Sequence, residues 1–233
     1  MLKKQKMLLW LLCMGIVMSG CTNHGSSAVP DSEVEKKSEI IEDSFYPVEK
    51  EVDLGILSLK SVKSEDFQIQ YPADQWEAAS ETDPLTVFYI PSETTGQVVN
   101  VNVQKVAEYN EELSENDLED IKSSIKDKGL FISVDTAELR QLDGETICYI
   151  EMSTEYNDEL IDYMIEQGMT TEEDIEAAGG RDAIRSLPTC MQISISIPRN
   201  GYVYTYTGSY YDKAQKDIVL DCMKVMIQTT ENL

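Results

Sequence analysis

Asn200-Gly201, set between two alternating runs, constrains this chain more than any other feature. Before it, Met191, Ile193, Ile195 and Ile197 alternate with Gln192, Ser194 and Ser196. After it, Tyr202, Tyr204 and Tyr206 alternate with Val203, Thr205 and Thr207. A period of two puts each set on its own face of a strand. Asn-Gly suits a two-residue hairpin turn, whose central positions both need positive φ. That loop length sets the register: Arg199 opposite Tyr202, Ile197 opposite Tyr204, and Ile195 opposite Tyr206. Ser196 then neighbours Thr205 on the reverse face, and Ser194 faces Thr207. The Ile/Tyr stripe needs a cover, so this part of the chain must be a sheet with something packed on it.

Two segments have the helical spacing to supply that cover. From Lys213 to Thr229, Ile218, Cys222 and Met226 share a stripe flanked by Val219, Met223 and Val225. From Ser114 to Lys128, Leu118, Ile121 and Ile125 recur on one face. Ser114 is a natural N-cap with Asp117 three residues on, and Gly129 a natural stop. Further strands are predicted at Gly55–Lys60, Phe67–Tyr71, Leu85–Ile90, Gln97–Val106, Leu130–Arg140 and Glu145–Ser153. Gly96 marks one turn and Asp143-Gly144 another. Residues 156–186 break the pattern with short amphipathic helices around Leu160, Ile161, Met164 and Ile165, and then from Thr170 or Thr171 to Ala178. Gly179-Gly180 ends the second of these, and Asp182 to Leu187 adds a turn. The prediction is an α+β fold, one antiparallel sheet with packed helices, interrupted by this acidic excursion.

The N-terminus supplies an address. Lys3, Lys4 and Lys6 precede an uncharged, mostly apolar run from Met7 to Met18, then Ser19, Gly20 and Cys21. The run is too short to cross a bilayer core of roughly 30 Å but fits a signal-peptide core. The order resembles the lipobox of bacterial lipoproteins, with Met18 where Leu is usual. That resemblance implies a signal peptide over 1–20, a lipid-bearing thiol at Cys21, and a protein held at the extracytoplasmic face of the cell membrane. The alternative is an ordinary cleaved signal. Residues 21–51 are rich in Ser, Gly, Pro, Glu and Lys and read as a flexible tether. Ile40, Ile41, Phe45 and Tyr46 are its candidates for docking on the body. Residues 52–233 then form one domain with room for a core.

Charge narrows the partners. Without residues 1–20 the chain holds 16 basic and 43 acidic residues, a formal charge of −27. Nucleic acid, anionic lipid and anionic wall polymers are poor partners for that field. The lone histidine, His24, lies in the tether, so the body can build neither a Ser-His-Asp or Cys-His nucleophile nor a histidine zinc site. Cys148, Cys190 and Cys222 are buried free thiols by their apolar surroundings, with a Cys148–Cys190 bridge as the alternative. No cofactor or metal site is predicted.

Phe67-Gln68-Ile69-Gln70-Tyr71-Pro72, followed by Trp76, resembles the opening of PsbP-like domains, whose fold is shared with Mog1. The later order agrees: a valine-rich strand, a helix, a hairpin with Gly144 at its turn, a Tyr-rich strand and a closing helix. The long excursion and the ending Ile227-Gln228 depart from that family's pattern. The resemblance implies an α/β/α sandwich, and a protein that binds or assembles rather than catalyses. It carries over no site residue.

The residues themselves offer one candidate site. Asn100, Asn102, Gln104, Gln192, Ser194, Ser196, Thr205 and Thr207 all lie opposite apolar stripes. Together they would make an uncharged hydrogen-bonding surface for a protein, peptide or glycan, or simply a solvated sheet face. The acidic runs Glu172-Glu173-Asp174 and Glu111-Glu112 with Glu115 lack a calcium-loop pattern. Trp76 is expected in the core. The favoured function is therefore a membrane-anchored, non-catalytic partner-binding or assembly factor. A carboxylate-dependent hydrolase of cell-wall polymers and a divalent-cation-binding module stay open as alternatives.

Overall fold

The Asn200-Gly201 turn forms as its residues require, with φ of 51° and 81°. It joins β9 (Cys190–Arg199) to β10 (Tyr202–Tyr210). The pairing runs Arg199 with Tyr202, Ile197 with Tyr204 and Ile195 with Tyr206, the register the turn length dictates. The structure, a computed structural model, describes residues 41–42, 52–80, 84–94, 98–109, 112–142 and 144–233. The signal at 1–20, Cys21, most of the tether, Gly96, Glu111 and Asp143 lie outside them. No helix among the described residues is long and apolar enough to cross a membrane.

The remaining strands are β1 (Ile41–Glu42), β2 (Leu59–Lys63), β3 (Phe67–Pro72), β4 (Trp76–Ser80), β5 (Leu85–Tyr89), β6 (Asn100–Glu108), β7 (Ile132–Leu142), β8 (Glu145–Thr154) and β11 (Glu231–Asn232). The main sheet has eight strands in the order β1-β7-β8-β9-β10-β6-β5-β4. Its pairs are antiparallel except β1, which lies parallel to β7 with Ile41 beside Arg140. The helices are α1 (Glu115–Lys126), α2 (Asp158–Glu166), α3 (Glu172–Ala177), α4 (Gly180–Arg185) and α5 (Lys213–Thr229). The fold is α+β.

Two expectations are corrected. The strands are not all in one sheet, because β2 and β3 leave it to form a second sheet in the order β11-β3-β2. Of the strand expected at Gly55–Lys60, only Leu59 and Lys60 are in one. Asp53 accepts a hydrogen bond from Gly55 N at 2.9 Å and caps a 3-10 turn over Leu54–Ile56, so β2 starts only at Leu59. The second sheet packs on α5 instead. Phe67, Ile69 and Tyr71 are buried, and Phe67 meets the ring of Tyr204 edge-on at 5.4 Å. Gln70 N donates to Thr229 Oγ1 at 2.9 Å. The ribbon thus extends the cover over the Ile/Tyr stripe. Trp76 opens an additional strand, β4, and packs in the core against Tyr89.

α5 covers one face of the main sheet, built from Val101, Val103, Ile193, Ile195, Ile197, Tyr204 and Tyr206, all buried. Each such side chain is worth roughly 1.5–3 kcal/mol on burial. The helix closes over Gly208, where an added Cβ would stand 2.1 Å from Val219 Cγ1. Its buried residues are Val219, Leu220, Cys222, Met223, Val225, Met226 and Ile227, while Ile218 is only half-buried. α1 packs beside β7, and Glu115 and Asp117 in its first turn act electrostatically on Cys148. Cys148 pairs with Ser196, so it belongs to the face opposite α5. Helices therefore serve both faces.

The excursion is α2, α3 and α4, which bury Leu160, Ile161, Met164, Ile175 and Ile184. Arg181 pairs with Asp162 at 2.7 Å and with Glu172, and Arg185 pairs with Asp158 at 2.5 Å and with Asp182. The three body cysteines are free and buried. The alternative Cys148–Cys190 bridge is overturned by register. Cys148 pairs with Ser196 and Cys190 with Thr154, six positions apart along the strands, or roughly 20 Å.

Candidate functional site

Pairing brings the predicted polar residues together in three cross-strand rows. Gln192, Ser209 and Asn100 form the first, which runs on through Phe88 to Glu77. Ser194, Thr207, Asn102 and Thr86 form the second. Ser196, Thr205 and Gln104 form the third. All eight residues predicted from the sequence are in these rows. Thr86 and Ser209 were not predicted. Their signal was available in part, since the alternation of β5 and β10 continues through them.

The face is not solvated, contrary to the simplest reading of its composition. Asn100 and Thr207 are 0% exposed, Asn102 3%, and Ser194 and Ser196 7% each. Gln104 and Thr205 are half-buried. Alternation distinguishes two faces of a strand, but it does not say whether the polar one meets water.

Burial makes each polar atom's partner matter. Gln192 Nε2 donates to Ser209 Oγ at 3.1 Å, and the hydroxyls of Ser196 and Thr205 lie 2.9 Å apart. Asn100 Nδ2 donates to Val98 O at 3.3 Å, and Thr86 Oγ1 to Pro84 O at 3.4 Å. Asn100 Oδ1 and Thr207 Oγ1 have no hydrogen-bond partner among the described residues. Neither has Thr154 Oγ1, which lies on the same face where β8 meets Cys190. A buried polar atom left unpaired costs about 1–3 kcal/mol. Asn100 Oδ1 and Thr207 Oγ1 stand as diagonal neighbours at roughly 7–8 Å on this face, with Thr154 farther along it.

The rows themselves carry no charge, and exposed Glu77 stands beyond them, beside Phe88. Its members are amides and hydroxyls, and Ile150 beside Ser194, Met152 beside Gln192 and Phe88 beside Asn100 flank them. The buried titratable neighbour is Cys148, beside Ser196. Its thiol pKa is pushed up to about 12, first by burial and then by the negative charges of Asp117 and Glu115, so it stays protonated.

The acidic clusters have other employment. Glu172 is held by Arg181, and the Asp174 carboxylate accepts from Thr171 Oγ1 at 2.8 Å. Burial would raise the Asp117 carboxyl, but Ser114 Oγ and N, at 2.5 and 2.8 Å, and Tyr109 OH, at 2.9 Å, hold it below its ordinary value. Burial likewise acts to raise Glu151, while Lys216 Nζ at 2.8 Å and Tyr149 OH at 2.5 Å bring it down. Neither carboxyl is placed to act as an acid near neutral pH. Among the described residues no group of three or more His, Cys, Asp or Glu side chains is placed to hold a metal ion.

No family model matches this chain, and no curated protein matches it either. Among solved structures, it is similar to the cyanobacterial PsbP (CyanoP) of Synechocystis sp. PCC 6803. That match is at 14% identity and a TM-score of 0.42, over 78% of this chain and 96% of that one. It is also similar to LpqN of Mycobacterium tuberculosis, described as involved in cell envelope biogenesis. Here the identity is 12% and the TM-score 0.40, over 75% of this chain and 91% of that one.

Proposed function

We propose that this protein is a non-catalytic binding or assembly factor, held at the extracytoplasmic face of a membrane by lipid on Cys21. Its uncharged sheet face takes the partner. The observation that carries this reading is the set of amide and hydroxyl rows, reaching the surface at half-buried Gln104 and Thr205, with Asn100 Oδ1 and Thr207 Oγ1 unpartnered among the described residues. Elsewhere the protein is densely acidic, so a neutral partner meets least repulsion there. The anchor rests on the order of basic, apolar and small residues that ends at Cys21.

The test is thermal unfolding of the full chain with the uncharged fraction of an envelope extract. Wild type should gain stability, because a ligand that binds only the folded state raises Tm. The folded double variant Asn100→Leu/Thr207→Val should gain none. Equal gains in both proteins would move the site elsewhere. Turnover of a wall-derived substrate, lost on replacing one particular Asp or Glu, would replace this reading with the hydrolase.

A further inference from the structure

We infer that the Gly129–Phe131 loop, with Leu130 at its tip, is where the anchored body rests on the lipid bilayer. The inference rests on the Cys21 anchor proposed above and adds the surface that meets the membrane. Leu130 is 91% exposed, the most of any large apolar side chain among the described residues. The fold holds it out. Its N–H donates to Glu159 Oε1 at 3.0 Å, and Phe131 beside it is buried, with its ring 5.2 Å from that of Tyr163. Gly129 takes a φ of 139°, and a Cβ there would stand 2.7 Å from Phe131 Cε1 and 2.9 Å from Glu159 Oε1. The backbone is thus fixed on both sides of Leu130, and the side chain has no route back onto the body. An apolar side chain held in water leaves its surface for something else to cover.

The anchor's own chain leads to this end of the sheet. β1 runs parallel to β7, with Ile41 beside Arg140. Its N-terminal side therefore faces the start of β7 at Ile132, just past Leu130. From Arg140 to Ile132 the strand runs roughly 26 Å. Residues 22–40 join Cys21 to Ile41, and a random-coil chain of that length reaches about 25 Å. The two lengths match, so lipid on Cys21 brings the bilayer to the Leu130 end without doubling the chain back. The anchor also sets a high local concentration, so the contact needs little affinity of its own. Charge selects the lipid. Lys126 is exposed and Lys128 half-buried just before the loop, and ammonium groups suit lipid phosphates. Glu159 stands beside Leu130, on a chain of net charge −24. A zwitterionic surface offers both signs of charge, whereas an anionic one repels the body as a whole.

The full chain, purified from membranes and reconstituted on phosphatidylcholine vesicles, tests this. Leu130→Cys and Asn200→Cys each take an environment-sensitive fluorophore, since Cys148, Cys190 and Cys222 are buried. Asn200 lies at the opposite end of the sheet, where β7 and β9 both finish. The label at 130 should shift to the blue and be quenched by nitroxide-bearing lipid, and the label at 200 should do neither. A label at Lys126→Cys, with Leu130 kept, should shift as well, and adding Leu130→Glu should remove that shift. Flotation of the vesicles reads the anchor separately. If the protein floats and the label at 130 stays in water, this inference falls and the anchor stands. Equal shifts at 130 and 200, or a shift at 126 that Leu130→Glu leaves intact, overturn it too. A shift at 130 in native membranes but not in protein-free vesicles assigns Leu130 to a protein partner and overturns the bilayer contact. If the protein does not float, the anchor and this inference fall together.

Discussion

Gly208 shows how much one residue decides here. It sits in β10 under α5, and an added Cβ would meet Val219 Cγ1 at 2.1 Å and Met223 Sδ at 3.1 Å. Val219 is a branched side chain on a packed helix, with little room to retreat. Gly208→Ala should therefore cost about 1–3 kcal/mol in urea unfolding, as overpacking does. Val219→Ala in the same chain should recover part of that loss, and strictly additive losses would show that this contact is not the cause. Ile195 and Ser194 make a second pair. By alternation alone, Ile195→Asp should unfold the domain and Ser194→Asp should be tolerated. The burial of Ser194 changes the second expectation, since a carboxylate there gains no cation among the amides and hydroxyls around it. Both variants should lose stability, and a normal Tm for Ser194→Asp would show that the face is wet after all.

Among the elements, the caps and termini carry the most testable chemistry. α1 begins with a capping box, in which Ser114 and Asp117 each bond the other's backbone. α5 begins with another, from Asp212 and Gln215. Ser114→Ala should cost about 1 kcal/mol. Asp117 and Glu151 both have folded pKa values below the ordinary carboxylate range. The unfolded chain therefore takes up these protons first as pH falls. The stability they confer is complete above the ordinary carboxylate pKa and is lost as pH drops through the folded values. Acid titration followed by circular dichroism should show this loss, and Glu151→Gln should flatten part of it. A curve identical to wild type would place the acid sensitivity elsewhere. At the C-terminus, Thr230 bonds Tyr206 OH at 2.5 Å, Asn232 bonds Tyr204 OH, and Glu231 pairs with Gln68. Removing residues 230–233 should speed amide exchange in β3 while β9 and β10 stay protected, because the ribbon loses its edge strand and the main sheet does not. The capping signal of α1 was legible in sequence. The ribbon was not, because its partner lies more than 160 positions away and has only two residues.

At the scale of the whole molecule, the address and the body divide cleanly. Cys21→Ala should release the protein from membranes or leave its precursor unprocessed. An intact mass beginning at any residue but Cys21 would remove the anchor from the account. The sequence by itself determined the class of fold, the β9–β10 register and the bounds of α5, because each follows from local periodicity and from a turn with one good geometry. It also put the eight polar residues opposite the apolar stripes, while the pairing of β6 with β10 is what brought them together. What only the tertiary structure decided was non-local. The departure of β2 and β3 into their own sheet depended on where α5 and the C-terminus came to lie. The separation of Cys148 from Cys190 depended on how β8 aligned with β9. The enclosure of the polar face, and with it the unpaired oxygens of Asn100 and Thr207, depended on what the rest of the chain brought over that face. Periodicity reports which side of a strand differs from the other. Whether that side meets solvent is a property of surfaces joined across long stretches of sequence, and no local pattern encodes it.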